Sequence, residues 1–223
     1  MTIVLWDIDG TLIRSGGAGK LAMETALRSV FGLRDILDTV PYSGRTDVAI
    51  GRDLLAVHGL PASDDNQHLL REAYLRELPV ALKSAGGTVL PGILALLERF
   101  HRREGIVQGL LTGNVRRGAK TKLEHFGLWD FFRLGGFGDG HSDRDDVARS
   151  AIAAVKQHVG SVNPDEVWII GDTPLDVKCA RAVGAKAIAV ATGWVSLEEL
   201  KRCEPDYAFA DLSDVPALLQ LWS

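Results

Sequence analysis

Two aspartates stand two residues apart near the amino terminus, directly after a short apolar run. Asp7 and Asp9 belong to the stretch Asp-Ile-Asp-Gly-Thr, and residues 3–6 before them have the composition of a buried strand. In an extended backbone, residues i and i+2 point to the same side, so both carboxylates can face one pocket. One carboxylate of such a pair can attack phosphorus while the other transfers the proton.

A second polar motif follows residues 107–111, which are mostly apolar. Here Thr112, Gly113 and Asn114 begin where the run stops. A hydroxyl and successive backbone N–H groups in that place can bind phosphate oxygens, and the next helix adds its N-terminus. An ordinary strand-to-helix turn with a capping Thr or Asn is the alternative interpretation.

A second acidic pair follows the apolar residues 167–170. Asp172 and Asp176 are four residues apart at a predicted helix start, so their carboxylates lie on one face. The alternative is a simple helix cap, with Asp172 before a proline at Pro174. That alternative leaves unexplained why an acidic pair follows a buried strand twice in one chain.

The elements that carry these motifs alternate along most of the chain. Short apolar runs, each followed by a helical pattern, indicate a parallel sheet covered on both faces. We therefore predict an α/β fold with a Rossmann-like, doubly wound, mostly parallel sheet. Ligands of such sheets gather beyond the carboxyl ends of the strands, where all three motifs lie. The apolar runs cover residues 3–6, 107–111, 167–170, 187–190 and 207–209.

The segment of residues 16–87 interrupts this alternation. It has helical spacing of apolar residues without strand patterns, and glycine-rich stretches lie at both of its ends. The sequence therefore predicts an inserted all-α cap at 16–87 and an α/β catalytic core formed by 1–15 and 88–223. The predicted cap helices cover residues 21–31, 46–59 and 66–82.

The order of these motifs resembles that of the haloacid dehalogenase-like hydrolases, a superfamily made up mostly of phosphatases. The first acidic pair matches the DxDGT motif, the Thr-Gly-Asn turn matches the second motif, and the second acidic pair matches the fourth in its GDxxxD form. The similarity covers essentially the whole chain. Within the superfamily, the chain resembles the phosphoglycolate phosphatase-type members that carry a helical cap.

The resemblance implies a role for each acidic residue. Asp7 corresponds to the nucleophile that forms an aspartyl-phosphate, and Asp9 to the general acid/base, which also binds the metal through its backbone carbonyl. Asp172 corresponds to a direct Mg²⁺ ligand and Asp176 to a ligand that acts directly or through water. Members of the superfamily that act as dehalogenases lack an acidic residue at the position of Asp9, so its presence here favours phosphoryl transfer. The residues assigned to phosphate binding are Gly10, Thr112, Gly113 and Asn114.

The third motif departs from the family pattern. Most relatives place a lysine there, but no lysine occurs between Lys122 and Lys156. Arg144 precedes a predicted helix and is the best candidate, because arginine stays charged and can neutralise the nucleophile and a phosphoryl oxygen. The alternative is a surface arginine paired with neighbouring acids. Other cations that could take the role are Arg116, Arg117, Lys120 and Lys122.

A short turn in the predicted cap, residues 43–47, offers Arg45 and Thr46. These side chains are suited to binding the anionic or hydroxyl end of a substrate. Related cap-bearing phosphatases have a similar G-[KR]-[TP] element. The alternative is a helix N-cap turn with an exposed arginine.

Composition narrows the function classes. The chain has 223 residues, a net charge of −4 and two cysteines. This negative charge argues against a protein that binds nucleic acid or membranes electrostatically. From the motifs, we expect a cytoplasmic enzyme that acts on a small phosphorylated metabolite and uses Mg²⁺. A phosphosugar mutase of the same superfamily and a non-catalytic phosphate-binding regulatory protein on this fold remain the alternatives.

Overall fold

The computed structural model describes residues 1–222. None of the helices in that range combines the length and apolar character that a membrane crossing requires. The strands are β1 (Thr2–Trp6), β2 (Ile13–Arg14), β3 (Thr88–Val89), β4 (Ile106–Leu111), β5 (Gly135–Gly136), β6 (Val167–Gly171), β7 (Lys186–Val190) and β8 (Tyr207–Phe209). The helices are α1 (Ala18–Phe31), α2 (Asp47–Val57), α3 (Asp64–Ala85), α4 (Ile93–Arg102), α5 (Arg116–His125), α6 (Arg144–Val159), α7 (Pro174–Ala182), α8 (Leu197–Arg202) and α9 (Val215–Leu219).

Six strands form one sheet in the order β5-β4-β1-β6-β7-β8, and every neighbouring pair is parallel. In the centre, Leu5 of β1 pairs with Gly109 on one side and Ile169 on the other. The predicted α/β fold with its doubly wound sheet is confirmed. Strand β5 lies outside that prediction, because two glycines carry no apolar pattern.

Alternating residues of β1 enter two different hydrophobic layers. Val4 and Trp6 lie in one cluster, which α4 and α5 help to form, whereas Ile3 and Leu5 lie in another with α6 and α7. All four side chains are fully buried. Burial of each contributes about 1.5–3 kcal/mol, so the central strand is strongly held.

Three helices occupy the segment of residues 16–87, called the helical insert below. The structure has no strand between residues 18 and 85, and α1, α2 and α3 share a separate hydrophobic cluster. Thr46 and Ser63 cap α2 and α3 with their hydroxyls. The antiparallel pair β2–β3 lies at the two ends of the insert, where Ile13 pairs with Val89. The division into a core and a movable cap stays a prediction.

The strand order explains how distant motifs meet. Strands β4, β1 and β6 are neighbours and parallel, so their carboxyl ends share one edge of the sheet. Thr112, Asp7 and Asp172 each directly follow one of these strands. The backbone therefore places the three sequence motifs side by side.

Candidate active site

Asp7 lies directly after β1 in the interior of the site. Its side chain is 7% exposed, and its backbone N–H donates to the Ile170 carbonyl at 2.9 Å. Burial raises the pKa of Asp7 to about 6, although the nearby Arg144 charge acts in the opposite direction. An Arg144 terminal nitrogen lies 3.0 Å from Asp7 Oδ1.

Arg144 is the first residue of α6 and is 4% exposed at its side chain. Besides Asp7, its guanidinium bonds to Asp176 Oδ1 and donates to the Gly44 carbonyl at 3.0 Å. One side chain therefore joins two buried acids of the sheet edge to the helical insert. The fork of donors on arginine permits this, whereas an ammonium offers a single point charge.

Asp7, Asp172 and Asp176 form a buried acidic cluster in which one oxygen of each lies within 4.8 Å of the others. Burial, followed by the charges of Asp176 and Asp7, raises the pKa of Asp172 to about 9. Within residues 1–222, Asp172 Oδ1 is a buried atom without a hydrogen-bond partner. Crowded carboxylates with an unsatisfied oxygen are a suitable donor set for a hard divalent cation.

Two glycines make room for Asp172. A Cβ atom at Gly10 or at Gly193 would collide with its carboxylate. Gly10 also has a φ of 82°, a conformation that favours glycine. Gly10, which is predicted to help bind phosphate, therefore lies in close contact with the Asp172 carboxylate, and no larger residue would fit there.

Both carboxylate oxygens of Asp176 have hydrogen-bond partners among residues 1–222. Its Oδ2 accepts from the Thr173 N–H at 3.0 Å and from the Thr173 hydroxyl at 2.7 Å, while its Oδ1 bonds to Arg144. Asp176 thus completes the capping box of Thr173 in the first turn of α7 and anchors the guanidinium. Its predicted role as a metal ligand stays a prediction.

Asp9 lies in a different polar network from Asp7. Lys122 Nζ is 2.5 Å from Asp9 Oδ2, and Asn114 Nδ2 donates to the same oxygen at 2.9 Å. The Ser15 hydroxyl donates to Asp9 Oδ1 at 3.1 Å. Burial raises the pKa of Asp9, but the Lys122 charge and the three hydrogen bonds outweigh it, so the pKa lies below its usual range.

The Thr-Gly-Asn turn connects this network to β4. Thr112 is fully buried, and its hydroxyl oxygen accepts from Asn114 Nδ2 at 2.8 Å and from the Asn114 N–H at 3.3 Å. Gly113 is in close contact with the Arg45 carbonyl, which a Cβ atom would strike. The predicted phosphate-binding turn therefore lies between Asp9 and the helical insert.

Arg45 and Thr46 are occupied within the insert. An Arg45 nitrogen lies 2.6 Å from Asp53 Oδ2, and another donates to the Pro41 carbonyl at 3.2 Å. The Thr46 hydroxyl accepts from the Ala49 N–H at 3.1 Å and caps α2. These contacts match the N-cap interpretation of the turn, and substrate binding by the two residues stays a prediction.

The other candidate cations have different surroundings. Arg117 forms two bonds to Glu72, at 2.7 and 2.8 Å, and Arg116 lies over the Phe137 ring. Lys120 is half-exposed and its partner is Glu124 at 3.6 Å. Of the five candidates, the structure places Arg144 beside Asp7.

Sequence reasoning missed the partners of Lys122 and the role of Asp47. The Asp47 N–H donates to the Gly113 carbonyl at 2.8 Å, and Asp47 Oδ2 accepts from the Val115 N–H at 2.9 Å. This reciprocal pair fixes the start of α2 on the Thr-Gly-Asn turn. No local pattern relates Lys122 to its partners, because Asn114 precedes the first residue of α5, whereas Lys122 lies inside that helix.

Asp47 gives a test of this docking. Burial raises the pKa of Asp47 to about 6 from an ordinary value of 3.8, so its charged form is disfavoured in the folded protein. The ionised Asp47 therefore destabilises the folded protein. This destabilisation is fully present above about pH 6 and disappears below the unfolded-state pKa of 3.8. Asp47→Asn should therefore raise Tm by about 2–6 °C at pH 8, because asparagine still accepts from Val115, and the gain should vanish near pH 4.

Asp53 on the same helix is the matched control. The Arg45 hydrogen bond holds the pKa of Asp53 below its usual range, so its charge stabilises the fold at neutral pH. Asp53→Asn should lower Tm at pH 8. Thermal unfolding of the three proteins between pH 4 and 8 checks both signs, and a lower Tm for Asp47→Asn at pH 8 would contradict the assignment.

The family follows from a direct comparison. A model of the haloacid dehalogenase-like hydrolase family matches residues 4–181, well over half of the chain. The chain belongs to this family. The resemblance of its motifs is thus confirmed, and the protein is an enzyme of a hydrolase family.

Individual relatives match along most of their length. The Dickeya dadantii protein named "Probable phosphatase IndB" is 29% identical over 248 residues, which cover 99% of this chain and 96% of the relative. The phosphoglycolate phosphatase of Rhodospirillum rubrum is 29% identical over 201 residues, covering 86% of this chain and 80% of the relative. A crystal structure described as "a predicted phosphoglycolate phosphatase" from Haemophilus somnus aligns with a TM-score of 0.77, at 16% identity and over 98% of each chain. That last likeness supports the fold.

Proposed function

We propose that this enzyme is a Mg²⁺-dependent phosphomonoesterase that hydrolyses a small phosphorylated metabolite, phosphoglycolate-like compounds included, through an aspartyl-phosphate on Asp7. The observation that carries the proposal is the buried carboxylate of Asp7 with the Arg144 guanidinium at 3.0 Å. A nucleophile beside a fixed cation can approach an anionic phosphoryl group. The names of the phosphatase relatives support the same reaction class.

The acidic cluster suits the metal of this proposal. Asp7 and Asp172 would hold Mg²⁺ together with the backbone carbonyl of Asp9, and Asp176 would act directly or through water. Bound Mg²⁺ supplies positive charge that neutralises the phosphoryl oxygens. The unpartnered Asp172 Oδ1 is the feature of this chain that fits such an ion.

The residues of the chain divide the reaction into two steps. In the first, an Asp7 oxygen bonds to phosphorus and the ester P–O bond breaks. Asp9 is ionised in the free protein, because its pKa lies below the usual range, so it must take up a proton in the substrate complex before it donates that proton to the leaving oxygen. In the second, Asp9 takes a proton from water, the water oxygen bonds to phosphorus, and the bond between phosphorus and Asp7 breaks. This step releases inorganic phosphate and restores the Asp7 carboxylate. Arg144, Thr112 and Asn114 bind the transferring group in both steps.

The helical insert covers this edge of the sheet. Its Gly44 carbonyl accepts from Arg144, and Asp47 bonds to the Thr-Gly-Asn turn. Beside Asp47 and Val115 lies a cavity of about 470 Å³, whose other walls come largely from α2 and α3. The residues that line this cavity do not include Asp7, Asp172 or Asp176, so the cavity lies beside the acidic cluster and not on it. The insert would exclude bulk water from the acidic cluster while it is closed.

A panel of phosphomonoesters tests the proposal. The purified chain is assayed for inorganic phosphate with two-carbon and three-carbon phospho-acids, sugar phosphates, nucleotides and p-nitrophenyl phosphate, with Mg²⁺ and with EDTA. We expect phosphate release from at least one small ester, lost with EDTA and restored by Mg²⁺. Isomerised sugar phosphate without free phosphate would instead indicate a mutase. Metal and phosphate binding without turnover on the whole panel would indicate a regulatory protein.

A further inference from the structure

Two buried cationic side chains at this site form ion pairs with two different carboxylates. Arg144 contacts Asp7, whereas Lys122 on α5 contacts Asp9. The Lys122 side chain is only 5% exposed. A buried ammonium needs close partners, and Lys122 has them in Asp9 Oδ2 at 2.5 Å and Asn114 Oδ1 at 2.6 Å.

The contacts of Lys122 form a closed network around Asp9. Lys122 binds both Asp9 and Asn114, and Asn114 in turn donates to the same Asp9 oxygen at 2.9 Å. Asn114 is itself fixed by the Thr112 hydroxyl, while Ser15 holds the other Asp9 oxygen. The Asp9 carboxylate is therefore oriented at both oxygens, and of its three side-chain partners in the described chain (Lys122, Asn114 and Ser15), only Lys122 is charged.

We infer that Lys122 is the positioning residue for Asp9, holding its carboxylate in the orientation that proton transfer requires. The inference rests on the proposed function, because it assigns Lys122 to the acid/base step of that reaction. Proton transfer depends on hydrogen-bond geometry between the acid and the leaving oxygen. Without Lys122, the Asp9 side chain loses its charged anchor and rotates more freely.

The leaving group determines how much this orientation matters. When an alkyl ester reacts, the P–O bond breaks as Asp9 transfers its proton to the departing oxygen, and an alcohol leaves. An aryl ester such as p-nitrophenyl phosphate leaves as a stable phenolate, so no proton is needed in that step. The hydrolysis of the aspartyl-phosphate uses Asp9 as a base for either substrate.

The decisive experiment compares Lys122→Met with Lys120→Met, an exposed lysine on the same helix. For each protein, kcat and kcat/KM are measured with p-nitrophenyl phosphate and with the best alkyl phosphate of the panel. We expect Lys122→Met to lower kcat/KM about 10- to 100-fold for the alkyl ester, with little change for the aryl ester. The aryl kcat should also fall, because it includes the second step. Lys120→Met should leave all four parameters near those of the wild type.

Several results would overturn the inference. Equal losses of kcat/KM for both esters would mean that Lys122 acts on the phosphoryl group or on the fold, and no loss would mean that Asp9 needs no such anchor. Thermal unfolding monitors the fold, and Lys122→Gln, which keeps a neutral donor, replaces Lys122→Met in the same comparison where the latter does not fold. If the wild type hydrolyses neither ester, the proposed function fails instead.

Discussion

Asp7→Asn should end phosphate release, with kcat reduced by about 10⁴-fold or more, while the fold stays intact. Asparagine has nearly the same shape as aspartate, but its amide cannot form an acyl-phosphate with a phosphomonoester. The substitution also removes one charge from a crowded acidic cluster, where burial already raises the pKa of Asp7 to about 6. The Tm of the variant should therefore equal or exceed that of the wild type.

Covalent trapping measures this prediction directly. Borohydride added during turnover should reduce the acyl-phosphate of Asp7 to homoserine in the wild type, located by mass spectrometry, and should leave Asp7→Asn unmodified. Asp165→Asn, which changes an exposed aspartate at a 3₁₀ turn, is the control for the loss of one negative charge. Phosphate release by Asp7→Asn near the wild-type rate would remove Asp7 as the nucleophile.

Much of the fold could be predicted because its sheet is buried on both faces. Strands β1 and β6 are nearly continuous apolar runs, β4 is apolar apart from Gln108 and Gly109, and each polar motif stands where one of these strands ends. The parallel order then brings Asp7, Thr112 and Asp172 together without any knowledge of side-chain contacts. Strand β5 could not be found in this way, since Gly135 and Gly136 form a strand only because β4 offers them an edge.

The less predictable part of the site depends on contacts between segments that are far apart in the chain. Nothing near Lys122 in the sequence indicates that it faces Asp9, 113 residues earlier. The same is true of Gly44, whose carbonyl accepts from Arg144 across 100 residues. Such partners depend on how the helical insert and α5 pack against the edge of the sheet. Local sequence patterns do not determine this packing.

The contacts of Arg144 are consistent with its predicted place in the third motif, where most relatives have a lysine. Arg144 contacts Asp7, Asp176 and the Gly44 carbonyl at once. A guanidinium can reach acceptors in several directions in one plane, so the arginine couples Asp7 to the helical insert. Lys122 then supplies the second positive charge to Asp9. Asp9, the proposed proton-transferring acid, and Asp7, the proposed nucleophile, thus have separate cations.

Arg144→Ala should lower kcat by about 10²- to 10⁴-fold, because the transferring phosphoryl group and Asp7 lose their fixed positive charge. The truncation also leaves Asp176 without its buried partner, which costs about 3–5 kcal/mol of folding free energy and lowers Tm. Assays are therefore run well below the Tm of the variant. Arg144→Lys should keep more activity than Arg144→Ala, because lysine retains the positive charge, although it cannot contact Asp7, Asp176 and the Gly44 carbonyl at the same time.

Chemical rescue separates the charge effect from the loss of stability. Guanidinium at millimolar concentration should restore part of the kcat of Arg144→Ala, because it can enter the space left by the side chain, and should not stimulate the wild type. Arg149→Ala is the control on the same helix, since Arg149 is exposed and pairs only with Asp146 among residues 1–222. A near-normal kcat for Arg144→Ala would assign the third-motif role to another cation. A lowered kcat that tracks Tm without rescue would leave Arg144 as a structural link between Asp176 and the insert.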